Sequence, residues 1–114
     1  MERYRKLTRE GREELQEIIL ITVYDLYAEW RRQVKFSREY GVSSPSEPCI
    51  TAAWLFGYFE QAQMPAEYKI LADYAARREI HHAMQTLHRK GMLARSVGES
   101  SFGREAYCYE PGDL

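Results

Sequence analysis

The side chains of this 114-residue chain best suited to chemistry gather between Arg77 and Lys90. On a helix turning about 100° per residue, Ile80, Ala83, Met84 and Leu87 fall on one side. Arg78, His82, Gln85 and Arg89 fall on nearly the opposite side, flanked by His81 and Thr86, with Glu79 off to the flank. A generic solvated face mixes acids with bases. A row of guanidinium, imidazole and amide groups without a carboxylate suits a polyanion instead.

Other chemistries find less support. His81 and His88 are two helical turns apart, too far to share one ion, and neither His81 with Gln85 nor His82 with Glu79 makes a strong ligand set. No Gly-rich phosphate loop, Gly-x-Ser-x-Gly or His-Glu-x-x-His motif occurs, and the Glu13-Glu14 pair reads as solvated surface. Neither an enzyme nor a metal or other cofactor is expected.

The elements around this segment follow a recognisable order. Leu71-Ala72, Ile80, Ala83-Met84, Leu87 and Lys90-Gly91-Met92-Leu93, followed by Gly103-Arg104-Glu105-Ala106-Tyr107-Cys108-Tyr109, resemble the winged helix-turn-helix DNA-binding family. The resemblance covers roughly Ile50 to Glu110 and identifies no subfamily. It implies that the segment around Gln85 is a recognition helix for the major groove of double-stranded DNA. Arg78, His82 and Gln85 would then face base edges, Arg with guanine and Gln with adenine. Arg77, Arg89 and Lys90 suit phosphates, and His81 could serve either purpose. Arg95, Ser100, Ser101 and Arg104 stand where a wing meets the minor groove or a phosphate. The implied function is sequence-specific DNA binding by a dimeric transcriptional regulator. A winged helix that binds protein, and a plasmid or viral DNA-binding protein, are the alternatives.

The net charge of −1 argues mildly against nucleic acid, but its distribution matters more. From Ala66 to Arg104, seven bases stand against four acids, a net +3, while the remainder carries the acidic excess. Cys49 and Cys108 have no metal-ligand spacing; free thiols in a reducing cytoplasm are expected, with a disulfide between them left open. Met1 to Gly11 is polar and reads as no signal peptide. The apolar run Ile18 to Tyr24 is far too short to span a bilayer, so a cytoplasmic protein without a membrane partner is expected.

The predicted fold is mainly α with a small β-hairpin: a winged helix-turn-helix preceded by a long N-terminal helix. Residues 1–41 form that helix, 42–49 a linker, and 50–114 the winged-helix domain. Thr8 is positioned to cap the first helix and Gly41 to end it. Between Ile18 and Tyr27 it is apolar nearly all round and requires cover on more than one side. A second copy of the same helix would supply that cover, giving a homodimer through Leu15, Ile18, Ile19, Thr22, Val23, Leu26 and Trp30. Thr51 is placed to cap a second helix with Ile50, Trp54, Leu55, Tyr58 and Phe59 on its apolar face and Gly57 at a close crossing. A short helix over Ala66–Ala75, a strand over Met92–Val97, a wing tip over Gly98–Gly103 and a return strand over Arg104–Glu110 complete the reading.

Overall fold

The computed structural model describes residues 8–61, 77–99 and 105–112. The expected helix over Ala66–Ala75 and most of the wing tip lie outside these residues. Three helices, α1 (Arg9–Tyr40), α2 (Ala52–Gln61) and α3 (Arg77–Arg89), precede two antiparallel strands, β1 (Leu93–Glu99) and β2 (Glu105–Pro111). The described fold is thus mainly helical with one small hairpin.

Local chemistry sets the helix ends. The Thr8 hydroxyl accepts from the Gly11 amide at 3.1 Å, satisfying an orphan donor of the first turn of α1. At the other end Gly41 adopts φ 66°, and the Val42 amide donates back to the Ser37 carbonyl. The β-branched run within α1 remains helical because its i, i+4 stripe of Leu15, Ile19 and Val23 is buried. Thr51 caps α2 by accepting from the Trp54 amide at 3.1 Å. Gly91, at φ 79°, closes α3; the Met92 amide returns to the Leu87 carbonyl, and the chain turns directly into β1.

The core lies where α1 meets α3 and β2, and where α2 meets α3. Ile19, Val23, Ile50, Leu55, Ile80, Met84, Leu93 and Tyr109 are its innermost side chains. This packing corrects part of the dimer expectation. Leu15, Ile18, Ile19 and Val23 are covered by the chain's own elements, so they have no face left to offer a second copy. Thr22, Leu26 and Trp30 remain partly accessible. The reading of α2 also changes: Leu55 and Phe59 turn inward, whereas Trp54 (43% exposed) and Tyr58 (38%) stack on each other outside, ring centroids 5.3 Å apart. A Cβ at Gly57 would meet no described atom within 4 Å, so no close crossing demands that glycine.

In the hairpin Leu93 pairs with Pro111, Arg95 with Tyr109, Val97 with Tyr107 and Glu99 with Glu105. Along this one face Leu93 and Tyr109 are buried while Val97 and Tyr107 are exposed. The base of the hairpin is anchored in the core and its far end projects into solvent. Ile50 bridges to Tyr109, whose amide donates to the Ile50 carbonyl at 2.9 Å. Their neighbours Cys49 and Cys108 come to a Cα–Cα separation of 4.9 Å and form a disulfide, correcting the expectation of free thiols. No described helix is long and apolar enough to cross a membrane.

Candidate nucleic-acid interface

The two sides of α3 divide as their residue types require. Ile80, Ala83, Met84 and Leu87 enter the core. Arg77, Arg78, His81, His82, Arg89 and Lys90 are exposed, and Gln85 and Thr86 are partly so. The one acid of this helix, Glu79, is buried (8% exposed) beside α1, where Arg12 meets it at 3.4 Å through Nε and 3.5 Å through Nη2. The open side of α3 therefore carries donors and cations and no carboxylate of its own.

Short polar contacts steady parts of this side. Thr86 donates to the His82 carbonyl at 2.9 Å and accepts from an Arg89 guanidinium nitrogen at 3.3 Å. Lys90 donates to the Gln16 side chain of α1 at 3.3 Å. His88 is not part of the open side: its Nδ1–H donates to the Leu93 carbonyl at 3.0 Å, fixing the turn from α3 into β1. The His81 and His82 rings meet edge to face at 6.1 Å, and no three potential metal-ligating side chains converge among the described residues.

Arg78 stands between two concavities. In one, of about 570 Å³, Arg78, Glu79, His82 and Thr86 face Arg12 and Gln16 of α1. In the other, of about 1070 Å³, Arg77, Arg78 and His81 face Glu105, Tyr107 and Tyr109 of β2 and the start of α2. Arg95 is laid over the Tyr107 ring, its guanidinium carbon 4.1 Å from the centroid. The hairpin arginine is thus held on the same tyrosine that shares a cavity with the first turn of α3. Ser100, Ser101 and Arg104 lie outside the described residues.

Two contributors were not singled out from sequence. Arg12 and Gln16 reach α3 from α1; Arg12 precedes Leu15 by three positions and Ile19 by seven, which places it on the inward face of α1. Tyr109 is 1% exposed and lines the larger cavity, but its hydroxyl is sealed from solvent and has no hydrogen-bond partner among the described residues. Its neighbour in sequence, Tyr107, is the one left exposed, a difference that strand alternation cannot reveal.

No protein-family model, curated protein sequence or solved structure gives a significant match to this chain.

Proposed function

We propose that this protein binds double-stranded DNA in a sequence-dependent manner as a winged helix-turn-helix transcriptional regulator, acting by binding and not by catalysis. The observation that carries this reading is the sorting of charge on α3: exposed Arg77, Arg78, Arg89 and Lys90 on the open side, and Glu79 buried against Arg12. An exposed carboxylate beside those cations would repel phosphate; Glu79, although it borders the concavity of Arg78 and His82, is largely buried and paired with Arg12. Arg78, His82 and Gln85 would read base edges; Arg77, Arg89, Lys90 and Arg95 would meet phosphates. Ser100, Ser101 and Arg104 belong to the same proposal through the wing.

A homodimer is part of the reading, since two α3 helices on successive major grooves require a two-fold partner. Its interface moves from the buried stripe of α1 to what remains outside: Thr22 and Leu26, which share a groove with Tyr58, together with exposed Ile21 (51%) and Trp54. A cytoplasmic location, proposed with it, requires the Cys49–Cys108 disulfide to persist in a reducing compartment, where such bonds are rare. The same aromatic surface favours a second reading, a winged helix that docks on another protein.

Salt separates the two. Fluorescence anisotropy with random-sequence and selected duplexes at 50 and 200 mM salt should give affinity that falls steeply with salt, as expected when cations displace condensed counterions. No duplex binding at the lower salt rejects the DNA reading.

A further inference from the structure

The outward side of α1 sorts its charge along its length. Glu14, Glu17, Ile21, Ala28, Arg32 and Lys35 fall within about 40° of one line at about 100° per residue. All six are exposed, on the side away from buried Leu15, Ile19 and Val23. Read along the helix, the line runs acid, acid, apolar, small, base, base. Arg32 is bridged to Glu29 within α1, whereas Glu14, Glu17 and Lys35 make no ion pair among the described residues.

This order is complementary to itself when reversed. A second copy turned end for end about a point between Tyr24 and Asp25 would bring Ile21 against the partner's Ala28. The same turn would bring Glu17 against the partner's Arg32 and Glu14 against the partner's Lys35. A parallel copy would set acid on acid and base on base. Exposed ion pairs add little affinity, but like charges in contact strongly disfavour the wrong orientation. Apolar contact comes from Ile21 seated over a small residue and from the exposed Tyr58 ring, which borders the line in a groove with Asp25, Ala28 and Arg32. The one like-charged pair, Glu10 with the partner's Glu39, falls at the exposed tips, where salt screens it best.

We propose that the outward line of α1 is the docking surface for a second copy of this chain, bound antiparallel with Ile21 on the partner's Ala28. This arrangement rests on the proposed homodimer and gives it an orientation and a register. It also sets a spacing. α3 is tied to α1 at Arg12 and Gln16, through Glu79 and Lys90. At about 1.5 Å per residue, that stretch lies on average about 31 Å along the pair from its copy. Two α3 helices so placed are no closer than about one turn of duplex.

Sedimentation of the full chain without DNA tests the pairing. Glu14→Lys with Glu17→Lys leaves Ile21 between bases at both ends, and Arg32→Glu with Lys35→Glu leaves it between acids. Each pair of changes should weaken self-association about tenfold, and an equimolar mixture of the two proteins should associate as tightly as the wild type. Glu39→Lys, which removes the like-charged pair, should tighten association about threefold. Ile21→Cys mixed with Ala28→Cys should oxidise to a mixed disulfide, and neither should cross-link to itself, since like positions lie about 10 Å apart along the pair. A wild-type chain that stays monomeric overturns this pairing together with the proposed dimer. A dimer indifferent to the charge reversals, or cross-linked between like positions, overturns the antiparallel arrangement and leaves a dimer of another kind. Antiparallel pairing by a protein that never binds DNA upholds the surface and removes only its consequence for spacing. On DNA, cooperative binding to half-sites centred about five base pairs apart overturns the arrangement, and cooperativity at about ten supports it.

Discussion

Arg12 of α1 and Glu79 of α3 lie 67 positions apart in sequence and meet with Nε 3.4 Å from Oε2. The arginine side chain is 44% exposed and the carboxylate side chain only 10%, so the pair is asymmetric: the carboxylate is the group that depends on its partner. Its burial docks α1 on α3 and leaves α3 with no exposed carboxylate of its own. Arg12→Ala should therefore act twice. Leaving a buried carboxylate short of one partner should cost about 1–3 kcal/mol in urea denaturation. Duplex affinity should fall as well, although Arg12 is not among the proposed base-reading residues. Glu79→Gln should retain or raise that affinity at low salt, because it removes charge without removing volume.

The proposed division of labour on α3 gives separable signatures. Arg78→Ala and Gln85→Ala should each cost about 1–3 kcal/mol on the preferred duplex and relax discrimination at one base position. Lys90→Ala should weaken all duplexes alike and lower the salt slope by about one. Lys90 also donates to Gln16, so Gln16→Ala is the control: it frees the ammonium without deleting it. Competition binding against randomised duplexes measures both effects. Equal losses on every sequence for Arg78→Ala would move that residue from base to phosphate contact.

The position of the dimer surface is equally open to substitution. Ile19 is fully buried within one chain, so Ile19→Glu should unfold the protein, at a cost above about 4 kcal/mol, and report nothing about pairing. Tyr58→Glu changes an exposed ring and should leave the fold intact while shifting sedimentation toward the monomer. A wild-type chain that sediments as a monomer at high concentration rejects the pairing.

Much of the local structure was legible because it is decided by neighbours. Thr8, Gly41 and Thr51 mark ends that any chain with those residue types at those offsets would favour, and the inward stripe of α3 follows from its period alone. What was not legible depends on partners distant in sequence. Trp54 and Tyr58 fit the apolar period of α2 but occupy the side that α3 does not cover. Strand alternation puts Tyr107 and Tyr109 on one face; the depth at which each sits depends on how far the hairpin projects beyond the core. The pairing of Cys49 with Cys108 depends on the bridge between Ile50 and Tyr109, a contact without a sequence signature.

That disulfide closes a segment with a sequence separation of 59 and should be a sizeable part of the stability. Reduction, or the Cys49→Ser and Cys108→Ser pair, should cost about 2–4 kcal/mol, chiefly by freeing the unfolded chain. Denaturation with and without dithiothreitol measures it, and the double variant should lose its response to the reductant. Gly98 provides a second handle. A Cβ there would collide with the Cys108 sulfur and lie 3.4 Å from that of Cys49. Gly98→Ala should therefore destabilise the oxidised protein more than the double serine variant, where a smaller oxygen replaces each sulfur.

Tyr27 predicts how the protein fails in alkali. It is buried on α1, and its hydroxyl donates to the Pro48 carbonyl at 2.8 Å, tying the linker to the helix. Burial raises its pKa from 10.0 to about 12, with further elevation from Glu47 and Glu110 and opposition from Arg31. The folded state therefore holds this proton more tightly than the unfolded chain does. Its contribution is fully present below pH 10 and is lost as the pH rises through about 12. Urea denaturation at stepped pH should give constant stability up to about pH 9 from this group and a decline between about pH 10 and 12. Tyr27→Phe should be less stable at neutral pH, through the lost bond to Pro48, but should show a flatter decline over the alkaline range. An equally steep decline in Tyr27→Phe would assign the alkaline transition to other groups.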